Sequence, residues 1–590
     1  MQFHTKLPIL LLTLLALSVC CSAANSKEAS LILVNGKVWT ENPALPIAHA
    51  VALDGNKILA VGDDASIRKL AGADTKVIDL HGRLLLPGFN DAHVHFLDGG
   101  ASLVSVNLGT ANSPAEFRER VAMFARTRGP GAWLRNGNWD HQRWNPPNLP
   151  NHQLIDDACG DHPVLLWRTD GHMALANALA LKLAGIDRNT KDPPGGEIER
   201  DKDGDPTGIL KDSATALVTR VMPPLSAREQ DQAMEAALHE AAIHGITSVQ
   251  NLADTPEDES QPEVFREFQK FEREGKLTVR IYQGVHVRDW KMYADPGVVA
   301  PFGSAMLRIG NLKAFADGAL GSETAWMDEA FANNPSNRGL ASPDLLDVEK
   351  FYGEMRSADK AELQLTIHAI GDRAIHTILD LYARLEADNG PADRRPRIEH
   401  VQHIHPTDYP RFAKLGVIAS MQPYHAIDDG RWAEKVIGPE RAHSSYAWKS
   451  LLDAGATLAF GSDWAVAPLD AVMGIYAATT RQTLDGKNPG GWIPEQRITV
   501  AQAVHAYTVG SAFAEHQEKV KGSIEPGKLA DLVILSDDIF SIAPEKIQNT
   551  KVDMTIFDGR VIFERPWFQT SRSLSSSADV GRESAAPLTP

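Results

Sequence analysis

The chain has 590 residues, 43% of them hydrophobic and 23% charged, and a formal charge of −17. That length exceeds one ordinary core, so two or three domains are expected. The acidic balance argues against nucleic acid or an anionic membrane surface as a partner, because both reward clustered Lys and Arg.

The first residues read as an export signal. Lys6 precedes the apolar run Leu7–Val19, and the small residues Ser22, Ala23 and Ala24 follow. A charged head, an apolar stretch too short to span a membrane and a small-residue cleavage region make residues 1–24 a signal peptide, with no stable span. The expected location is the bacterial periplasm or the medium. Leu17-Ser18-Val19-Cys20 has the outline of a lipoprotein box, although Val19 is bulky for its place, so a lipid anchor is the minority alternative. Cleavage leaves Cys159 as the one cysteine, and one cysteine forms no intrachain disulfide.

Residues 28–83 are β-rich: Leu31-Ile32-Leu33-Val34, Val51-Ala52-Leu53 and Lys57–Val61, punctuated by Asn35-Gly36, Asp54-Gly55 and Gly62. Residues 520–566 repeat the style with Asp531–Leu535 and Met554–Phe563, turning at Asp558-Gly559. Unpaired strand edges are a liability, so the two segments are expected to close into one composite β-sandwich. Residues 570–590 are rich in Ser, Ala and Pro and read as a disordered tail.

Eight short apolar runs lie between, in residues 84–519. They are Leu84–His95, Gly245–Leu252, Thr278–Val285, Leu307–Asp317, Leu363–Asp372, Arg395–Gln402, Gly416–Pro423 and Gly455–Asp463. Helix-competent sequence separates them, with no tight hairpin between neighbours. This predicts an α/β fold, a (β/α)8 barrel of TIM type whose catalytic groups sit at the C-terminal strand ends. The first two runs stand far apart, which predicts an inserted subdomain over about 102–242. It is rich in aromatics and imidazoles, and Trp139 and His172 are its candidate substrate contacts. Tyr424–Leu452 forms a second insertion after the seventh run.

Chemistry concentrates at the ends of these runs. His93 and His95 stand two apart on one strand, so both imidazoles face one way and can reach one metal. His368 and His400 end the fifth and sixth runs. Each alone is as good a core histidine as a ligand; on one barrel rim beside the pair, they point to a metal centre. His403 and His405 lie past the strand end and are read as structural. Asp463 ends the eighth run, either as a helix cap or as a metal ligand that takes a proton from water. Lys313 is a cation in a buried strand. It requires a carboxylate, for which Asp317 is on the same face, or carboxylation by carbon dioxide into an anionic bridge.

Taken together these residues resemble the amidohydrolase superfamily, in particular its YtcJ-like branch, amidohydrolase family 3. The carriers are Pro87–His95, Asp170-Gly171-His172, Lys313–Asp317 with Thr324-Ala325, His368–Ile375, Arg397–His400, Gly461-Ser462-Asp463 and Gly522–Leu532. The resemblance implies one or two divalent ions, zinc first. It implies His93, His95, His368, His400 and Asp463 as ligands, with Lys313 as a carboxylated bridge and Asp463 as proton shuttle. Asp170 joins His172 and Trp139 as a substrate-side residue. Two departures are Asn90, where the motif often has Ile or Val, and Met173–Ala178 after Asp170-Gly171-His172. The expected function is an exported hydrolase of amide-type, non-peptide C–N bonds in small molecules, acting through metal-activated hydroxide. The alternatives are a mononuclear deaminase of the same superfamily, for which Lys313 needs no bridge, and an inactive exported binding protein, against which the intact ligand set stands. No Gly-x-Ser-x-Gly elbow supports a serine hydrolase.

Overall fold

The computed structural model describes residues 28–253 and 261–566. The signal peptide expected over 1–24 and the tail expected over 570–590 lie outside the described residues.

All eight barrel strands form. They are β1 (Phe89–Val94), β2 (Ile246–Asn251), β3 (Arg280–His286), β4 (Leu307–Phe315), β5 (Gln364–Ala369), β6 (Arg397–His400), β7 (Ile418–Met421) and β8 (Thr457–Phe460). Each pairs in parallel with the next. Between β8 and β1 the barrel closes at its C-terminal rim. There the Asp463 N–H donates to the His93 carbonyl at 2.7 Å and the His95 N–H to the Trp464 carbonyl at 2.6 Å. The Asp91 carboxylate tightens this seam by accepting the Ser462 N–H at 2.9 and 3.0 Å. Burial pushes Asp91 up to about 7 despite those amides.

The run Leu84–His95 is two strands, not one. Leu84–Pro87 pairs with Lys37–Trp39 and with Leu532–Leu535, so it belongs to a six-stranded sheet made from both chain ends. Gly88 separates it from β1; a Cβ there would stand 2.3 Å from the Thr247 hydroxyl. A four-stranded sheet of Ala29–Val34, Ala50–Asp54, Lys57–Gly62 and Ala71–Asp79 faces the six-stranded one. Leu31, Leu33, Leu53, Leu85, Leu532, Ile534 and Met554 share the core between them. The opposite face of the same strands, Leu84, Leu86, Val533 and Leu535, packs into the barrel core. A strand buried on both faces is continuously apolar, so its composition matches a barrel strand.

The insertion after β1 is built on a five-stranded sheet of Leu134–Trp139, Val164–Arg168, Met173–Ala176, Pro206–Asp212 and Gly196–Arg200. Helix Ala227–Ile243, inside the expected span of the insertion, is a barrel helix. Its Ala233, Met234, Ala237 and Ala241 pack in the barrel core with Leu97 and Ala101 of helix Phe96–Leu103. After β7, short helices Pro423–Asp429, Ala433–Ile437 and Pro439–Ala442 make the second insertion.

Candidate metal centre

His93, Lys313, His368, His400 and Asp463 are all buried and converge on the C-terminal rim, with His95 partly open at its edge. The spent nitrogen of each buried imidazole identifies the free one. His93 Nδ1 lies 2.7 Å from Glu399 Oε2, while the other Glu399 oxygen accepts Arg397 Nε at 2.8 Å. His400 Nδ1 meets Gln422 Oε1 at 2.9 Å, and His368 Nε2 meets the Gly318 carbonyl at 3.1 Å. In each case an oxygen acceptor takes the ring N–H and leaves one lone pair on the other nitrogen, which is the state a metal ligand needs. Burial pushes all three imidazoles well below their usual value, and neighbouring positive charge adds to it. They are held neutral.

Asp463 faces this ring with both oxygens. Oδ1 stands 3.4 Å from His93 Nε2 and 3.3 Å from His95 Nε2. Two ligands about 2.0–2.1 Å from one tetrahedral zinc stand ~3.3–3.4 Å apart, the separation of each imidazole nitrogen from Oδ1, and the three ligand atoms all lie within 4.8 Å of one another. Oδ2 lies 3.8 Å from His400 Nδ1 and 3.9 Å from His425 Nε2. Burial works to raise the Asp463 carboxyl, but hydrogen bonding and charge from His95, with His425 and Lys313, hold it below the usual carboxylate range. Its backbone has φ of 61°, a left-handed conformation that non-glycine residues adopt at a cost of about 1–3 kcal/mol. The bond from its own N–H to the His93 carbonyl holds it there.

Lys313 lies in the middle of the rim on β4. Its Nζ is 3.4 Å from His93 Nε2 and 4.7 Å from the centre of the Phe315 ring. Asp317 devotes its carboxylate to backbone, accepting the N–H groups of Ile370 at 3.0 Å and of Gly371 and Trp326 at 2.8 Å. It therefore ties the loop after β4 to the end of β5.

A cavity of about 650 Å³ opens above these groups, lined by the rim, by the first insertion and by helix Pro423–Asp429. His172 enters it from the insertion, with its ring centre 5.1 Å from that of His368 and its Nδ1 2.7 Å from Asp212 Oδ1. Burial alone would lower His172, but the bond and charge of Asp212 outweigh it and raise the imidazole. Asp170 also lines the cavity; Arg168 holds one of its oxygens, and the other accepts the His172 N–H at 3.3 Å. Trp139 does not line it. Its indole is fully buried in the insertion core beside Phe117 and donates to the Leu166 carbonyl at 2.7 Å, because alternation along its strand turns it inward while Asn138 faces the cavity. His403 is sealed against Ser445 at 2.8 Å, and His405 bonds its neighbour Thr407 at 2.7 Å.

Four residues that sequence reasoning did not place in the site shape it: Glu399, Gln402, Gln422 and His425. Their signal was position, since each lies at or just past the C-terminal end of β6 or β7, where barrel side chains meet ligands. The imidazole and carboxylate donors suit zinc or a similar divalent ion.

Comparison with known proteins agrees with this chemistry. The chain is 38% identical over 517 residues to the protein LONG AFTER FAR-RED 3 of Arabidopsis thaliana, covering 86% of this chain and 87% of that one. It is 30% identical over 523 residues to the putative amidohydrolase YtcJ of Bacillus subtilis, covering 88% and 96%. It is also 27% identical over 548 residues to the N-substituted formamide deformylase of Arthrobacter pascens, covering 91% and 98%. Among solved structures, an uncharacterized metal-dependent hydrolase from Pyrococcus horikoshii superposes with a TM-score of 0.70 at 26% identity, over 87% of this chain and 99% of that one. Residues 76–563 match the model of the Amidohydrolase family, and the chain belongs to that family as a metal-dependent amidohydrolase.

Proposed function

We propose that the chain hydrolyses an N-acyl bond, with N-substituted formamides the first class to try, in a small molecule seated in the cavity. The observation that carries this reading is the shell of His93 Nε2, His95 Nε2 and Asp463 Oδ1, spaced 3.3–3.4 Å about the carboxylate at the cavity floor. The likeness to the Arthrobacter pascens deformylase over 91% of the chain supports the substrate class.

His93, His95, His368, His400 and Asp463 would hold the ion. A bound divalent ion supplies Lewis acidity for the substrate carbonyl and a more acidic water. Glu399, Gln422 and the Gly318 carbonyl fix the ring nitrogens that face the centre. Asp463, ionised at the rim, accepts the proton of the attacking water at a carboxylate oxygen and returns it to the departing amine nitrogen. His172, anchored by Asp212, offers its remaining nitrogen to the substrate oxygen, and the insertion carrying it excludes bulk water. Export with removal of residues 1–24 is part of the same proposal, supported by Lys6, the apolar run and Ser22-Ala23-Ala24.

The test is a panel of N-formyl, N-acetyl and cyclic amides given to zinc-loaded protein, with release of free amine as the readout. Amine release from N-formyl compounds supports the reading. Loaded, folded protein that releases no amine from any of them removes it. For export, mass spectrometry of secreted material should find a chain lacking its first residues; an intact Met1 would contradict cleavage.

A further inference from the structure

Helix Pro423–Asp429, directly after β7, brings to the cavity three polar side chains that the proposed reaction leaves unused. His425, Asp428 and Asp429 all line it, since positions three and four apart share a helix face. A chain of ion pairs ties this helix to the first insertion. Arg168 Nη2 lies 3.1 Å from Asp140 Oδ1 and its Nη1 holds Asp170. Arg431 Nη2 lies 3.1 Å from Asp140 Oδ2 and also holds Asp428 Oδ1. The Tyr446 hydroxyl donates to Asp429 Oδ2 at 2.6 Å. Among the described residues no donor meets Asp428 Oδ2 or Asp429 Oδ1. Both guanidiniums are thus spent, and four carboxylates stand against two positive charges on this side of the cavity. Burial raises Asp428, and Asp429 up to about 7, as expected of carboxylates short of positive charge. His425 is an independent sign, because it is more than nine-tenths buried. Its Nδ1 faces the Gln402 carboxamide at 3.3 Å, while its Nε2 makes no hydrogen bond and stands 3.9 Å from Asp463 Oδ2. A buried nitrogen left open at a cavity wall is the mark of a group that meets a ligand. Tyr424 and Trp432 line the cavity from the same stretch of chain, and aromatic faces attract cations.

We propose that this wall is a subsite for a positively charged group of the substrate, so that the chain acts on amides whose amine side carries a second, ammonium nitrogen. The open oxygens of Asp428 and Asp429 take the ammonium N–H groups. The Gln402 carboxamide carries an acceptor oxygen on the same fork as its nitrogen, so it can hold His425 Nδ1–H and leave the Nε2 lone pair to accept a substrate N–H. His425 stands between Asp463, where the amide is cleaved, and two carboxylates about 5–6 Å further along the helix face, which sets a short spacer between amide and ammonium. A neutral chain of the same length would bury these carboxylates with no positive charge beside them, the costly case. The subsite rests on the hydrolase reading for the place of the amide. One arm of its test measures binding without turnover, so each reading can fail alone.

Two matched pairs of probes carry the test on zinc-loaded protein. N-formyl-1,4-diaminobutane and N-formylpentylamine differ only in a terminal ammonium or methyl group, and their cleavage is read as release of formate. The mono-methanesulfonamides of the same two amines have no carbonyl carbon to attack, and their binding is read by calorimetry. Wild type should favour the charged member of each pair by about 10–100-fold, the scale of hydrogen bonds to a charged group, with the difference in KM rather than kcat. Asp428→Asn and Asp429→Asn should each shrink that ratio, and the double variant should bring it close to one, with circular dichroism to show that the fold persists. A wild type that binds the neutral member of a pair as well as the charged one overturns the subsite. So does a folded double variant that keeps the wild-type ratio. If neither formamide is cleaved but the charged sulfonamide binds more tightly and loses that advantage in the double variant, the subsite stands and the formamide reading falls.

Discussion

In the proposed reaction the chemistry turns on Asp463, whose carboxylate stands between the imidazoles of His93, His95, His400 and His425 at the cavity floor. Asp463→Asn keeps the shape and removes the basicity. The variant is expected to fold normally and to lose on the order of 10²-fold or more in turnover, the scale of a positioned acid–base group. Melting temperature and turnover measured on one preparation check this. A destabilised but fully active variant would return Asp463 to a capping role, worth roughly 1 kcal/mol. Glu399 acts one step back, through His93. Glu399→Gln should weaken zinc binding about 10–100-fold, the usual effect of losing a carboxylate behind a ligating histidine. Competition with a chromophoric chelator reads that directly; lowered stability with unchanged affinity would mean that Glu399 serves only Arg397. The convergence of His93, His95, His368 and His400 on one rim was legible in the sequence, because a histidine closing a β-run is a local signal. His425 and Gln422 were not, because nothing near them in the chain says that the turn after β7 folds back over Asp463.

At the scale of elements, the seam between β8 and β1 sets the geometry of the centre. The chains approach so closely at Gly461 that a Cβ there would lie 2.5 Å from the His93 nitrogen and 2.7 Å from Asp91 Oδ1. Neither neighbour is the free end of a flexible side chain, so the strand itself must move. Gly461→Ala should therefore cost about 1–3 kcal/mol, as overpacking does. It should also weaken metal binding, since His93 shares the displaced backbone. A variant that melts as wild type does and binds zinc equally well would show that the seam is looser than these distances state. The same seam explains what sequence could and could not read. Eight β-runs were visible because parallel strands buried on both faces are continuously apolar. That property also concealed the junction inside Leu84–His95, where a sandwich strand and a barrel strand follow each other with the same composition and only Gly88 between them. Trp139 was misplaced for a related reason, since composition says that an insertion is aromatic but not which side of its strand faces the cavity.

In the whole molecule, the sandwich is riveted to the barrel end opposite the metal centre. Arg280 begins β3 and is almost fully buried. Its Nε donates to Asp531 Oδ2 at 2.7 Å and its Nη2 to Asp531 Oδ1 at 3.0 Å, a two-pronged pair, with Asp558 Oδ1 at 2.9 Å. Asp531 Oδ1 also accepts the Asp558 N–H at 2.9 Å, so one carboxylate fixes both the turn of the C-terminal hairpin and the barrel strand. This gives a physical reason for an aspartate at the end of Gly522–Leu532, which sequence alone offered only as part of a family pattern. Removing one partner of a buried pair leaves an uncompensated charge, a loss of about 3–5 kcal/mol. Asp531→Ala is therefore expected to lower the unfolding free energy measured in urea by that amount, seen as an earlier midpoint at an unchanged slope. Zinc stoichiometry should stay as in wild type, because the proposed ligands all lie at the opposite rim of the barrel. Asp531→Asn, which can still accept from Arg280 and from the Asp558 N–H, should recover part of the loss. An alanine variant as stable as wild type would show that Asp558 alone satisfies Arg280 and that the two domains do not depend on this contact. A variant that lost zinc while remaining folded would show instead that the sandwich reaches the metal centre through the length of the strands.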